Sequence, residues 1–248
     1  MALVFDVSAE VAMFRKAYTT TSQVSFPFPP PTAVAGLLAA IVGLDHNAAR
    51  GSKNAAFWPA LQGTRVAIGI RNPLRWFSTT VNLLKFKSSN GSFAEHIQSK
   101  HQLVKNPCYR IYVSGGGLYE DLKRRLEKGE FIFTPYLGTA YALADIRYLG
   151  EFDQQPVTGP ETWTDTVVPL YAGVQLNIAK CGGIHRELVP FRMDAQRELK
   201  ATVTVIYPDE GAGASKTAEG SGRLWLSAKG SLEVTQVGFE RVGWFEQW

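Results

Sequence analysis

The sequence predicts an α+β protein: a ferredoxin-like βαββαβ domain followed by a small β-rich domain. Segments that alternate apolar and polar residues are typical of strands with one buried face. They occur around residues 3–13, 64–71, 109–113 and 141–152. Two helical segments, Ala33–Leu44 and Leu118–Leu126, interrupt them, so that the order is strand, helix, strand, strand, helix, strand. After Gly150 only short strand candidates follow.

The first strand and first helix are separated by a proline-rich segment. In residues 3–13, Leu3, Phe5 and Val7 share one face of the expected strand. Prolines in residues 26–31 exclude helix and sheet pairing, and Thr32 can then cap a helix over Ala33–Leu44. This helix is apolar on every side, which predicts that it is buried.

A long insertion lies between the second and third strands, at residues 74–108. Its length exceeds that of ordinary loops, and its polar centre, Ser88–Ser92, suits an extended β-hairpin arm. From Arg71 to Arg110 the only acidic residue is Glu95. The basic residues of this segment are Arg71, Arg75, Lys85, Lys87, Lys100, Lys105 and Arg110. The arm is therefore expected to contact an anion.

The second half of the chain predicts one more helix and then a β-rich domain. Leu118, Leu122 and Leu126 repeat at helical spacing, and Gly129 is placed to end that helix. We assign residues 1–152 to the first domain and residues 153–248 to the second. Strand candidates in the second are Val174–Ala179, Leu199–Tyr207, Leu224–Ala228 and Leu232–Val237. The Gly-, Ala- and Ser-rich residues 209–222 predict a mobile loop.

Composition excludes several classes of protein. Cys108 and Cys181 cannot form a disulfide framework, and neither they nor the 4 histidines show metal-ligand spacing, so no metal or cofactor is expected. The N-terminus lacks the basic start of a signal peptide, and the longest apolar stretch is too short to span a bilayer. We therefore expect a cytoplasmic protein without membrane contact. The aromatic residues Trp244, Phe245 and Trp248 are expected to need a partner.

Two blocks near the N-terminus resemble a known family. They are Phe14–Ser22, FRKAYTTTS, and Phe26–Leu44, FPFPPPTAVAGLLAAIVGL. Together they are similar to the N-terminal signature of the CRISPR-associated Cas-five proteins, which are RNA-binding subunits of type I Cascade complexes. The segments Asn106–Val113 and Thr134–Gly138 are weaker matches. The resemblance covers residues 1–150, and its spacing is most similar to the type I-B branch.

The resemblance implies a role in a ribonucleoprotein complex of antiviral defence. Members of the family bind and cap the 5′ handle of the CRISPR RNA, and they contact the backbone subunits and the large subunit. Target DNA near the protospacer-adjacent motif is a further candidate partner. The insertion at 74–108 resembles the family's thumb, which presses against the guide RNA. The basic charge of the arm fits this independently, because neutralised phosphates release counterions.

The candidate RNA-binding residues fall into two groups. Cations, an aromatic ring and hydroxyl groups occur within seven residues after the first strand, and these can hold phosphates, 2′-hydroxyls and one stacked base. They are Arg15, Lys16, Tyr18, Thr19, Thr20 and Thr21. The second group belongs to the arm and the strand after it, and comprises Lys85, Lys87, Asn90, Lys100, His101, Lys105 and Arg110. The acidic stretch Glu151–Leu170 is not expected to face RNA.

One enzymatic alternative stays open. In the type I-C branch the family member cleaves the CRISPR repeat without metal, through a tyrosine, a lysine and a histidine. Lys100 and His101 form an adjacent pair of this kind, and Tyr18 or Tyr109 could supply the third group. The tyrosine that this branch carries past the first helix is not evident, since the sequence reads Leu44-Asp45-His46-Asn47 there. We therefore expect binding without catalysis. A general RNA-recognition module is disfavoured, because its aromatic strand consensus is missing.

Overall fold

The structure is a computed structural model that describes residues 1–19, 22–45, 55, 57–86, 93–159, 161–208 and 222–248. It is a mixed α/β fold with mostly antiparallel sheets. The predicted loop at 209–222 lies outside these residues except for its last residue. In the described part of the chain, no helix combines the length and the apolar character needed to cross a membrane.

The elements up to residue 152 are, in chain order, β1 (Ala2–Ser8), β2 (Val11–Ala12), β3 (Phe14–Arg15), β4 (Ser22–Gln23), β5 (Ser25–Phe26), α1 (Pro31–Val42), α2 (Phe57–Ala60), β6 (Arg65–Ile70), β7 (Trp76–Phe86), β8 (Phe93–Lys105), β9 (Cys108–Ser114), α3 (Tyr119–Lys128) and β10 (Asp145–Phe152). The later elements are β11 (Gln154–Pro156), β12 (Thr162–Thr164), β13 (Val168–Pro169), β14 (Gln175–Leu176), α4 (Ile178–Cys181), β15 (Ile184–Met193), β16 (Leu199–Pro208), β17 (Leu224–Ala228), β18 (Val234–Val237) and β19 (Glu240–Gly243).

The central sheet has the strand order β10-β1-β9-β6, and all its pairs are antiparallel. The predicted alternation of buried and exposed faces in the first strand is confirmed for Leu3, Phe5 and Val7. These three side chains belong to the large core on the side of α1 and α3. The strand is shorter than predicted, since it ends at Ser8 and the chain resumes as β2, which pairs with the hairpin β7-β8.

The first helix differs from the prediction at its start. It begins at Pro31, so Thr32 lies inside it and is not its cap. A proline at the first helical position loses no hydrogen bond, because that N–H would have no partner in any case. The helix ends at Gly43, which has a φ of +87° and donates its N–H to the Ala39 carbonyl. Most of the helix is buried as expected, but Gly36 is exposed.

The C-terminal residues pack against α1 on one side of the central sheet and directly against the sheet on the other. Strands β15 and β16 pack on the side of α1, where Tyr207 meets Phe28 edge to face at 5.4 Å. On the other face, Val237 and Trp244 pack against Tyr112. The large core therefore contains side chains from both halves of the chain.

Two predictions for this region were wrong. The candidate strand Val174–Ala179 is a strand only at β14 and continues into the short helix α4, while β15, which the sequence did not indicate, spans ten residues. The aromatic C-terminal residues do not need a partner to be buried. Trp244 is 2% exposed, Phe245 stacks on Phe191 at 6.1 Å, and Trp248 meets Trp58 at 6.0 Å.

Gly138 permits a close approach between the segment before β10 and the N-terminal chain. Its φ is +87°, and a Cβ atom there would lie 2.0 Å from the Met13 carbonyl oxygen. We expect Gly138→Ala to lower the free energy of unfolding by about 2 kcal/mol, through backbone strain and this clash. Urea denaturation measures the loss.

The matched control for this variant is Gly36→Ala, because a Cβ at Gly36 meets nothing within 4 Å. Alanine is the better helix former, so this change is expected to be neutral or stabilising by up to about 1 kcal/mol. Equal unfolding midpoints for the two variants would contradict the strain assigned to Gly138.

Candidate RNA-binding surface

The turn after β3 presents part of the first predicted group to solvent. Strand β3 pairs with β5, which places Phe14 in the core and leaves Arg15 exposed. A guanidinium nitrogen of Arg15 donates to the Thr19 carbonyl at 3.0 Å, and the Thr19 hydroxyl donates to the Lys16 carbonyl at 2.8 Å. These bonds hold a compact turn from which Tyr18 projects with 71% of its surface exposed.

Lys16 points away from this exposed surface. Its ammonium group forms an ion pair with Glu187 of β15 and lies 5.1 Å from the centre of the Phe26 ring. Both charged side chains are mostly buried, at 14% and 17% exposure. Lys16 therefore attaches the turn to the C-terminal half, and its charge is neutralised within the protein.

The long hairpin β7-β8, which we call the thumb, joins this turn at its base. Strand β4 follows the turn and pairs in parallel with β8, so that Ser22 lies beside Lys100 and Gln23 beside His101. Strand β2, which precedes the turn, pairs with β8 at Lys105. The tertiary pairing thus places the strands before and after the Arg15 turn beside β8 of the thumb.

The two faces of the thumb differ in chemistry. Directly paired residues of an antiparallel hairpin share a face, and neighbours along a strand alternate between faces. One face carries Lys100 opposite Thr80, flanked by hydroxyl and amide side chains. The central members of this face are Ser78, Thr80, Asn82, Gln98, Lys100 and Gln102, and the pairs Trp76–Val104 and Leu84–His96 continue it toward its two ends. None of the six central residues is buried, so the centre of this face offers donors and one cation to a ligand.

The opposite face of the thumb carries His101, which is only 5% exposed. Its Nδ1 lies 3.2 Å from the Tyr141 hydroxyl oxygen, which also reaches the sulfur of Met13 at 3.6 Å. Its Nε2 is buried and has no hydrogen-bond partner within the described residues. Burial, helped by the positive charge of Arg15, lowers the pKa of His101 below 6.5 and so favours the neutral imidazole.

The lowered pKa makes a testable prediction for His101. Because the folded protein favours the neutral imidazole, stability is complete above the unfolded pKa of about 6.5 and declines as pH falls below it. Histidine ring resonances followed by NMR should show one histidine titrating below 6.5, and that titration should disappear in His101→Gln. A titration of His101 above 6.5 would contradict this environment.

Arg110 and Tyr109 occupy positions that do not face the candidate surface. Arg110 donates to both carboxylate oxygens of Asp6, at 2.7 and 2.9 Å, and to Glu240 at 2.7 Å. Tyr109 is fully buried and donates its hydroxyl to the Pro27 carbonyl at 2.7 Å. Burial raises the pKa of Tyr109. Tyr109 is therefore not available at the candidate surface as the third group of the catalytic alternative.

Of the other predicted RNA-binding residues, the structure describes only some. Lys105 is exposed at the base of the thumb, next to β2. Lys85 lies in β7 opposite Glu95 in the hairpin register. Thr20, Thr21, Lys87 and Asn90 lie outside the described residues.

Sequence reasoning missed the polar face of the thumb and Tyr141. The alternation of hydroxyl and amide residues with apolar ones in 76–105 was the available signal for the face. Tyr141 has no such signal, because it reaches His101 from a segment 40 residues away. Within the described residues, no three His, Cys, Asp or Glu side chains are grouped so that they could hold a metal ion.

Comparison with known proteins identifies the family. The model of the family described as CRISPR-associated protein (Cas_Cas5) matches residues 2–210. The chain belongs to this Cas5 family. No curated protein sequence matches the chain.

Solved structures share the fold of this Cas5 protein. A chain of a structure described as a CRISPR RNA-guided surveillance complex matches with a TM-score of 0.55 and 11% identity, over 85% of this chain and 91% of that one. A CRISPR protein from Archaeoglobus fulgidus matches with a TM-score of 0.54 and 16% identity, over 98% of each chain. At these low sequence identities, the structural similarity shows a shared fold only.

Proposed function

We propose that this Cas5 protein is a non-catalytic subunit of a type I CRISPR effector complex that binds the guide RNA. The observation that carries the proposal is the polar face of the thumb, where Lys100 and five hydroxyl or amide side chains adjoin the exposed Arg15 turn. Single-stranded RNA is bound by cations that track phosphates, by hydroxyl and amide donors, and by aromatic rings such as Tyr18.

The proposal includes the type of domain, the branch of the family, the RNA segment that is bound and the partner subunits. We propose that the sheet order β10-β1-β9-β6, with α1 and α3 on one face, represents a ferredoxin-like domain, and that the protein is of the type I-B branch. The RNA segment would be the 5′ handle, and the partners would be the backbone subunits and the large subunit. One solved chain with this fold comes from an RNA-guided surveillance complex, which supports membership of such an assembly.

The geometry of Lys100 and His101 supports binding without cleavage. The two residues are neighbours in β8, so their side chains point to opposite faces of the thumb. A general base and a charge-stabilising cation must converge on one phosphate. His101 is also buried, whereas Lys100 is exposed. The alternative function, metal-independent cleavage of the CRISPR repeat, would require the side chains of Lys100 and His101 to rearrange.

The test uses the purified chain and end-labelled repeat RNA from its own CRISPR system, without divalent metal. Gel shift and cleavage are scored at two salt concentrations, for the wild type and for His101→Ala. We expect a shift that weakens with salt, with intact RNA in both proteins. Cleavage at one position that is lost in His101→Ala would contradict the non-catalytic role. No shift, alone or with the backbone subunit present, would contradict RNA binding.

A further inference from the structure

A pair of tryptophans lies on the sheet β12-β17-β14, in the C-terminal half of the chain. Trp163 of β12 and Trp225 of β17 are directly paired, and their ring centroids lie 5.1 Å apart. The residues on either side of them along both strands are buried. Because neighbours along a strand alternate between faces, the two indoles lie on the outer face of this sheet, where both are half-buried.

Three cations surround this indole pair. The guanidinium carbon of Arg241 lies 3.4 Å from the centre of the Trp163 ring, and that of Arg223 lies 5.0 Å from it. The ammonium group of Lys180 lies 5.2 Å from the centre of the Trp225 ring. Protein structures contain about one significant cation–aromatic contact per 70–80 residues, so three contacts on one pair of rings mark a concentrated site.

The carboxylates of this surface do not neutralise all three cations. Asp165 accepts a hydrogen bond from the Arg223 Nε at 3.4 Å and one from the Arg241 backbone N–H at 2.9 Å. Glu161 pairs with Lys180 at 3.4 Å. Both acids belong to the acidic stretch that was not expected to face RNA, but here they are paired with cations. The five charged groups together keep one net positive charge.

Arg241 carries the positive charge that is not neutralised. Its guanidinium group donates to the Thr162 hydroxyl at 3.0 Å and forms no ion pair with another described residue. Burial lowers the pKa of Arg241, the charge of Asp165 opposes this, and the charge of Arg223 adds to it. A phosphate bound between Arg223 and Arg241 would relieve their repulsion, because guanidinium groups donate parallel hydrogen bonds to phosphate oxygens.

This surface borders the edge strand β6 of the central sheet. A Cβ atom at Gly69, in β6, would lie 3.4 Å from the Asp165 carbonyl oxygen. Strand β6 ends at Ile70, and the thumb begins at Trp76. The indole pair therefore lies close to the strand that leads into the thumb, although none of its residues belongs to the thumb.

We propose that Arg223 and Arg241 bind a backbone phosphate of a single nucleic-acid strand, while the pair of Trp163 and Trp225 contacts an adjacent base. Cations beside aromatic rings are the chemistry that binds single strands with little sequence preference. The inference goes beyond the proposed function, because that function depends on the thumb and the Arg15 turn. RNA and DNA strands share this phosphate and base chemistry, and the experiment distinguishes them.

The experiment uses the full chain and two short single strands that carry 5-iodouracil, one of RNA and one of DNA. Under light this base crosslinks to an aromatic side chain that it contacts, and mass spectrometry of the peptides maps the site. We expect a crosslink at Trp163 or Trp225 with at least one strand, and the strand that reacts identifies the type of nucleic acid. Absence of this crosslink with both strands would overturn the proposal.

Arg223→Glu is the test variant, because the Arg223 side chain is 46% exposed and the change leaves the core untouched. We expect the tryptophan crosslink to fall about fivefold at 0.15 M salt, with a smaller fall in Arg223→Gln. The matched control is Arg124→Glu, since Arg124 is 61% exposed and also pairs with an aspartate. Equal losses in Arg223→Glu and Arg124→Glu would overturn the assignment of Arg223 to this site.

The position of the crosslink separates this site from RNA binding by the thumb and the Arg15 turn. Arg223→Glu should leave an RNA crosslink at Tyr18 unchanged. A crosslink at Tyr18 without one at either tryptophan would support the proposed function and overturn this second site. A crosslink at Trp163 or Trp225 without any at Tyr18 or in the thumb would support this site, while the proposed RNA surface fails.

Discussion

Glu240→Ala is expected to lower the free energy of unfolding by about 3 kcal/mol. Glu240, in β19, accepts hydrogen bonds from Arg110 at 2.7 Å and from the Tyr112 hydroxyl at 2.6 Å, and it forms an ion pair with Arg71. The three charged side chains are 15–18% exposed. Without the carboxylate, the positive charges of Arg71 and Arg110 would be neutralised less fully in a mostly buried cluster. The hairpin β18-β19 would also be held less firmly against the central sheet.

Chemical denaturation of the variant measures this loss, with Glu198→Ala as the matched control. Glu198 is 70% exposed and pairs with Lys200 at the surface, so its removal should change stability by less than about 0.5 kcal/mol. Equal losses in the two variants would contradict a structural role for the cluster around Glu240.

The same cluster predicts how the stability of the protein depends on pH. Burial opposes ionisation of Glu240, but the hydrogen bonds from Tyr112 and Arg110 and the charge of Arg71 outweigh it and lower the pKa of Glu240. A depressed carboxylate pKa contributes stability that is present above the unfolded pKa of about 4.3 and is lost as pH falls through the folded pKa. Wild-type stability should therefore fall in acid more steeply than that of Glu240→Gln.

The double variant Arg15→Ala/Lys100→Ala is expected to weaken binding of repeat RNA about tenfold at 0.15 M salt. Each phosphate contact to a single strand contributes about 0.7 to the slope of log K against log salt, so two contacts contribute about 1.4. The slope of the variant should be smaller by that amount. Both residues are exposed where the turn meets the thumb, so their removal should leave the fold intact.

The matched control for this variant removes the same two charges elsewhere, as Arg124→Ala/Lys200→Ala. Arg124 on α3 is 61% exposed and Lys200 on β16 is 50% exposed. Fluorescence anisotropy at four salt concentrations gives affinity and slope for both variants. An equal loss in the control would show that only net charge matters, and an unchanged slope in Arg15→Ala/Lys100→Ala would remove these residues from the RNA surface.

Local patterns in the sequence were sufficient to predict most elements of the N-terminal half. The apolar run before Gly43, the leucine repeat before Gly129 and the long polar insertion correspond to α1, α3 and the thumb. These signals depend on residues within a few positions of one another, because helix and strand periodicity and helix ends are local properties. The segment Ile184–Met193 was missed, because Pro190 and its mixed polarity weaken the strand pattern.

The roles of individual cations required the tertiary structure. In the sequence, Arg110 and Lys100 belong to the same basic segment and were assigned to RNA together. In the fold, Arg110 is held by Asp6 and Glu240, which are 104 and 130 residues away, whereas Lys100 faces solvent. Lys16 and Arg15 are neighbours, yet Glu187 neutralises the first and the second stays exposed.

By itself, the sequence determined the family resemblance, the main elements of the N-terminal half and a basic segment suited to RNA. The tertiary structure decided which cations are available, that the C-terminal half packs against α1 on one side of the central sheet and against the sheet itself on the other, and that α1 borders an apolar cavity. The physical reason is that periodicity and charge are carried along the chain, whereas ion pairing and burial depend on residues that only folding brings together.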